Sequence, residues 1–152
     1  MAWIGASKAP SVGCIFCEAW STTDDRDRLV LARTAHAFLL LNAYPYASGH
    51  LMVALKRHLG AVTEPSVEEL ADAMALVQRG VAALGSEYRP DGYNIGVNQG
   101  AAAGAGIADH LHIHVVPRWS GDSNFMATVG DTRVLPETLD RTWERLRSRL
   151  GD

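Results

Sequence analysis

The segment DHLHIHVVPRW, residues 109–119, constrains this chain more than any other. His110, His112 and His114 alternate with Leu111, Ile113 and Val115. In an extended strand successive side chains point to opposite faces. The pattern therefore predicts a strand over residues 111–117, with three imidazoles on one face and an apolar row turned to a core. At a rise of about 3.3 Å per residue, successive imidazoles stand ~6.5 Å apart. Such a row suits three roles: metal ligation, imidazole-based catalysis, or a set of buried, hydrogen-bonded core histidines.

The remaining segments predict partners for that strand. Residues 29–33 and 37–41 are apolar and β-prone, and the short link between them predicts a hairpin. Residues 42–50, NAYPYASGH, carry Pro, Ser and Gly and read as a loop before another strand over 51–55. Ser66 precedes Glu69 by three positions, a capping box that opens a helix. Val67, Leu70, Met74, Val77, Val81 and Leu84 recur at helical spacing as its core face, and Gly85 is the expected stop. A strand is expected over 92–98. Leu139, Trp143, Leu146 and Leu150 predict a terminal helix. Strands, helix, strands, helix in this order predict an α+β fold, a mostly antiparallel sheet with one long helix and a C-terminal helix. The chain has no repeats, and 152 residues suit a single domain over 13–152 behind a flexible arm over 1–12.

Composition narrows the function. Fourteen basic against 17 acidic residues give a net charge of −3. This argues against a general nucleic-acid binder, but leaves room for a local pocket that binds a small polyanion. The apolar runs are far too short to span a bilayer and the N-terminus carries no signal-peptide pattern, so a cytoplasmic location is expected. The residues upstream of the histidines favour an anion. Gly100, Gly104 and Gly106 stand among Ala101, Ala102, Ala103 and Ala105, in a loop whose backbone N–H groups can approach a phosphate closely. Asn42 and Asn98 offer uncharged amides to phosphate or ribose oxygens. Arg118 directly follows the strand and can add positive field. Lys56 and Arg57 read as surface charges, and Trp119 and Phe125 as purine-stacking or core-capping aromatics. A neutral imidazole is nucleophilic near pH 7 and can form a covalent phosphoryl intermediate.

Taken together, His110-x-His112-x-His114 followed by Arg118, and Asn42 with Gly49-His50 upstream, resemble the histidine-triad (HIT) family. Within it the stretches NAYPYASGHLMV, GYNIGVNQG and HLHIHVVPRWSGDSNF are most similar to the actinobacterial diadenosine tetraphosphate phosphorylases. The resemblance implies a HIT-like fold that dimerises into a larger continuous sheet. It implies a catalytic set of His112 as nucleophile on an α-phosphate, His114 as a phosphate contact, His50 as a hydrogen-bonded support, and His110 as the first histidine of the triad. Asn42 would lie near the nucleoside and Asn98 near the phosphate, with Gly104, Gly106 and Arg118 completing the substrate site. Substrates would be adenine nucleotides, either dinucleoside polyphosphates or phosphoramidates, with phosphate or water as acceptor. Many members carry a polar Ser or Gln shortly before the triad; here that position is Gly106, followed by Ile107. A non-catalytic nucleotide-binding regulator on the same fold is the alternative from another class.

Cys14 and Cys17 form a lone C-x-x-C. No βαβ context follows it, so a thioredoxin-like role is not expected. Zinc needs two further ligands. Resemblance to some bacterial family members supplies them as His58 and His110, for a structural zinc that staples the N-terminal segment to the sheet.

Overall fold

The structure, a computed structural model, describes residues 13–123, 129 and 136–151. The expected arm over 1–12 and Phe125 lie outside the described residues. The elements are α1 (Ile15–Ser21), β1 (Val30–Arg33), β2 (Ala37–Leu41), β3 (Leu51–Leu55), α2 (Val67–Tyr88), β4 (Gly92–Gly96), β5 (His112–Arg118) and α3 (Leu139–Leu150). The five strands form one antiparallel sheet in the order β1-β2-β3-β5-β4. The expected α+β architecture holds. Among the described residues, no helix is long and apolar enough to cross a membrane.

The runs AFLLL and LMVAL in β2 and β3 are buried at every position. A continuous apolar run can be stable in a sheet only if both faces are covered, and here both are. On one face Leu39, Leu41, Leu51, Val53 and Val115 pack with Leu76 and Leu84 of α2 and Leu146 of α3. On the other, Phe38, Leu40, Met52 and Ala54 pack with Phe16, Cys14 and Cys17 at α1. Fully burying a side chain such as Phe16 contributes about 1.5–3 kcal/mol. Because α1 is short, it covers β1 to β3 and reaches β5 only at His112, through Phe16. The rest of β5 and β4 stays more open, and His114 emerges there.

Two glycines permit close approach. Gly49 has φ +83, and a Cβ there would sit 2.7 Å from the Leu84 side chain. A side chain at 49 would therefore displace the loop that delivers His50 to β3. Gly80 lets α2 pack onto β2 and β3, since a Cβ would meet Leu51 Cδ1 at 3.0 Å.

Several expectations need correction. The helix α2 passes through Gly85 and ends at Tyr88. Pro90 is the real stop, because proline disfavours α conformation in the residue before it; Arg89 is left-handed at φ 48. The buried face of α2 is Glu69, Ala73, Leu76, Val77, Gly80, Ala83 and Leu84. Val67 is 85% exposed and Met74 49%. The face is rotated because the helix approaches the sheet through its small residues, which a search for large apolar spacing passes over. Strand β4 stops at Gly96, short of Asn98, and β5 spans His112–Arg118. Sequence reading did not find α1, whose N-cap residue Cys14 makes no side-chain cap hydrogen bond.

The capping box at Ser66 and Glu69 is present. Glu69 is buried and also grips Arg57, with Nε to Oε1 at 2.5 Å and Nη2 to Oε2 at 2.6 Å. Arg57 is thus a structural partner of α2, not a free surface charge. The guanidinium first, and then the Ser66 backbone N–H, pull the Glu69 carboxyl down to about 2 despite burial. A depressed carboxyl stabilises the fold above its unfolded pKa, and that contribution is lost as pH falls from about 4.5 towards 2. The shift sets an upper limit of roughly 3 kcal/mol, and screening at Arg57, 32% exposed, reduces it to ~1–2 kcal/mol. Glu69→Gln should therefore lose about that much stability at pH 7 in urea unfolding, with the difference from the parent vanishing near pH 2. A loss independent of pH would show that the ion pair contributes nothing.

Candidate active site

Strand β5 carries His112 and His114 in register with Ala54 and Met52 of β3. His110 lies two residues before β5. Its ring turns to α1, so the expected row is split: two imidazoles at the open half of the sheet and one beneath α1. The Phe16 ring packs on both, with centroids 5.1 Å from His110 and 4.8 Å from His112.

The hydrogen bonds define which nitrogens carry protons. His112 Nδ1 lies 2.8 Å from the His110 carbonyl oxygen. A carbonyl only accepts, so Nδ1–H donates and the neutral ring leaves its Nε2 lone pair free. The Tyr46 backbone N–H donates to His50 Nδ1 at 3.1 Å. The His50 proton therefore sits on Nε2, which donates to His114 Nδ1 at 2.9 Å. That leaves His114 with its proton on Nε2. The pair thus presents one nucleophilic nitrogen and one N–H donor, with ring centroids 4.8 Å apart. Burial holds both His112 and His114 below the ordinary imidazole pKa, and His112 further disfavours charge on His114. Both rings are neutral at pH 7.

His114 opens onto a cleft of about 1330 Å³ that is also lined by Tyr46, Asn98, Arg118 and Trp119. Asn98 stands in its wall, where its amide makes a long contact of 3.5 Å to the Gly104 carbonyl. Gly104 has φ +82 and closes a single 3-10 turn over Ala101–Ala103. A Cβ at Gly106 would meet nothing within 4 Å. Arg118 is in the wall but is held by Asp122, at 2.6 and 2.7 Å, and by Asn94 at 2.7 Å. Asn42 folds back on its own loop: its Oδ1 accepts from Tyr44 N–H at 2.9 Å and its Nδ2 lies 3.5 Å from His50 Nδ1. Lys56 lies over the Trp20 ring at 5.3 Å.

Sequence reading did not single out Tyr46. Its ring lies 4.7 Å from His50 and stacks near-parallel on His114 at 6.4 Å. The only signal was an aromatic four residues before His50, inside a segment dominated by loop formers.

Cys14, Cys17, His58 and His110 come together from α1, the loop after β3 and the approach to β5, with ligand atoms all within 4.8 Å of one another. Cys14 Sγ is 3.4 Å and Cys17 Sγ 3.6 Å from His110 Nδ1; His58 Nδ1 is 3.3 Å from both Cys17 Sγ and His110 Nδ1. Tetrahedral zinc, with bonds of about 2.0–2.3 Å, separates its ligands by ~3.3–3.8 Å. The donor set fits. His110 Nε2–H donates to the Leu55 carbonyl at 2.7 Å, which leaves its Nδ1 lone pair for a metal. This cluster could hold a metal ion.

An α+β sheet that sets paired, oppositely tautomeric imidazoles beside a deep cleft defines a histidine-triad protein. Residues 24–121 match the HIT domain, and the chain belongs to that family. It is 42% identical over 118 residues to an AP-4-A phosphorylase from Mycobacterium tuberculosis, covering 78% of this chain and 60% of that protein. It therefore spans about 60% of the length of that relative. It is 29% identical over 139 residues to an adenosine 5′-monophosphoramidase from Schizosaccharomyces pombe, covering 91% of this chain and 99% of that one. A crystal structure of a Zn-bound histidine triad family protein from Mycobacterium smegmatis superposes with a TM-score of 0.72 at 29% identity, covering 91% of this chain and 93% of the other.

Proposed function

We propose that the chain is a nucleotidyl transferase that cleaves adenosine dinucleoside polyphosphates through a covalent nucleotidyl-histidine intermediate. The observation that carries this reading is the hydrogen-bond chain that frees Nε2 of His112 and places a hydrogen on Nε2 of His114. The His112 lone pair attacks the α-phosphorus, the N–P bond forms, and the bond to the bridging oxygen breaks. From diadenosine tetraphosphate this releases ATP. The His110 carbonyl continues to accept Nδ1–H as the His112 ring becomes cationic, and His114 Nε2–H donates to the phosphate oxygens as their charge grows. Inorganic phosphate then attacks phosphorus, the N–P bond breaks, and ADP leaves with His112 neutral again. Water in that role would give AMP. Asn98 and the backbone of residues 100–106 are suited to hold the α-phosphate, with Gly106 offering its N–H in place of a side chain. Asn42 is better placed to steady His50 than to read a base.

Zinc at Cys14, Cys17, His58 and His110 would supply a cross-link between α1, the loop after β3 and the start of β5. A homodimer joined along β4 would cover Ile95, 48% exposed, and Val97, 39% exposed, at the sheet edge.

Products of diadenosine tetraphosphate with and without inorganic phosphate, resolved by chromatography, test the reading. ADP and ATP formed only with phosphate support it, and no cleavage under either condition rejects it. A second reading, hydrolysis of nucleoside phosphoramidates, draws on the fission-yeast relative that the chain matches over nearly its whole length.

His50 acts on this chemistry through His114. His50→Phe keeps an aromatic ring but removes the donor, so His114 is no longer held in its Nε2–H form. Its kcat should fall about 100-fold, the scale of one positioned proton donor, with KM within about twofold. An unchanged kcat would remove His50 from the mechanism.

A further inference from the structure

The cleft beside His114 is larger than chemistry at one phosphate needs. Its volume of about 1330 Å³ exceeds the ~300–1,000 Å³ that typically encloses a small ligand. It follows β5 from His114 past Val116 to Arg118, about 13 Å at ~3.3 Å per residue. It then turns onto the start of α3, where Arg141 and Arg145 form the far wall. His112 is buried at the near end and outside the cleft wall. In an in-line displacement the leaving group departs opposite the nucleophile, and this cleft, which begins at His114 with its ring 4.8 Å from that of His112, is the space beside the reaction centre.

Charge distinguishes the far end. The walls hold the guanidiniums of Arg118, Arg141 and Arg145 against the carboxylates of Asp122 and Glu137. Arg118 is paired with Asp122, and Arg145 with Glu87 and Glu137. Arg141 has no carboxylate within ion-pair distance among the described residues; only its backbone N–H is engaged, by Thr138 Oγ1 at 3.4 Å. A cation without a counter-ion, at the end of a cleft that starts at the phosphate chemistry, attracts the rest of a polyanion.

We propose that the far end of this cleft is a second anion subsite, which holds the distal phosphates of a dinucleoside polyphosphate with Arg141 as its free cation. The proposal rests on the nucleotidyl-transfer reading and narrows it to elongated substrates, as opposed to nucleoside monophosphates with a small leaving group. Arg141→Glu is well suited to the test, because an acidic residue is favourable in the first turn of a helix.

Binding is read first, by calorimetry on a His112→Asn background that cannot form the covalent intermediate. Diadenosine tetraphosphate should bind more tightly than AMP. Arg141→Glu should weaken the first about tenfold, leave AMP within about twofold, and show a smaller effect at 1 M salt, where the Debye length is ~3 Å. Arg141→Lys should retain most of the affinity. With His112 intact, Arg141→Glu should lower kcat/KM for diadenosine tetraphosphate about tenfold while adenosine 5′-phosphoramidate is unaffected. Equal affinity for the two ligands, or an equal loss for both in Arg141→Glu, overturns the subsite. If the binding difference is found but neither substrate is cleaved, the enzymatic reading falls and the anion subsite stands.

Discussion

His112→Asn is expected to abolish turnover of diadenosine tetraphosphate, lowering kcat by at least ~10⁴-fold, the scale on which nucleophile removal acts in covalent catalysis. The size of the effect follows from the site. Of the imidazoles of His50, His112 and His114, only that of His112 keeps a lone pair not engaged as an acceptor: Nδ1 of His114 accepts from His50, and Nδ1 of His50 accepts from Tyr46 N–H. His114 cannot substitute without reversing its hydrogen bond with His50 and breaking the one from Tyr46 N–H to His50. Asparagine also preserves a polar side chain beneath Phe16, so the fold should survive, and an unchanged unfolding temperature would establish this. Intact-mass spectrometry of the parent, quenched in acid-free conditions with substrate and no phosphate, should reveal one AMP moiety on the chain. The His112→Asn protein should carry none. An adduct that persists in the variant would assign the nucleophile elsewhere. Residual turnover within tenfold of the parent would remove covalent catalysis at His112 altogether.

The second large effect is expected at the cysteine and histidine cluster. The protein purified without chelator should contain about one zinc per chain, read by elemental analysis, since the four donors lie within 4.8 Å of one another and the contacts of His110 with Cys14, Cys17 and His58, at 3.3–3.6 Å, match the ~3.3–3.8 Å spacing of a tetrahedral site. Cys17→Ser should lose that zinc. A metal present at 1,000 times its dissociation constant contributes about 4 kcal/mol to folding, so the unfolding temperature should fall by roughly 8–16 °C for a domain of this size. Stripping the parent with a strong chelator should have the same effect, and zinc should restore it. The destabilisation arises because the metal would tie the N-terminal end of α1, which lacks a side-chain N-cap, to the loop after β3 and the approach to β5, whereas Arg33 holds only the C-terminal end through the Ala19 and Trp20 carbonyls. Loss of α1 would uncover Met52, Phe38 and His112 together. An identical unfolding temperature with and without chelator would leave the cluster as buried thiols and imidazoles with no metal role.

Much of the architecture was legible because it follows from local chemistry. The runs at 37–41 and 51–55 are strands with the bounds expected of them, since a short apolar run bracketed by turn formers has few alternatives. The capping box at Ser66 marks the start of α2 because both of its hydrogen bonds join residues three apart. The end of α2 lies three residues beyond the expected stop at Gly85, because a glycine can be carried inside a helix whereas Pro90 cannot continue it. The buried face of α2 was misassigned because large apolar residues define a stripe, whereas close approach to the sheet selects Ala73, Gly80 and Ala83.

The pairing of chemistry-bearing residues divides in the same way. The alternation of His110, His112 and His114 with Leu111, Ile113 and Val115 is by itself enough to indicate a strand with an imidazole face, because side-chain direction alternates with every residue. Cys14 and Cys17 stand out as a pair, His58 and His110 were supplied by the family resemblance, and the fold brings these four donors together. Which imidazole serves which purpose is decided only by tertiary structure. His110 and His112 are two residues apart, yet one faces sulfur atoms 96 and 93 positions away in the chain and the other packs beside His114 at the near end of the cleft. The separation depends on where α1 lands, and α1 lands where Phe16 finds the surface left by Phe38, Met52 and Ala54. The protonation pattern is likewise non-local: a backbone N–H at Tyr46 selects, through His50, the nitrogen that His114 presents. Local spacing determines which groups a strand can display, whereas hydrogen-bond direction and burial by distant segments determine what those groups can do.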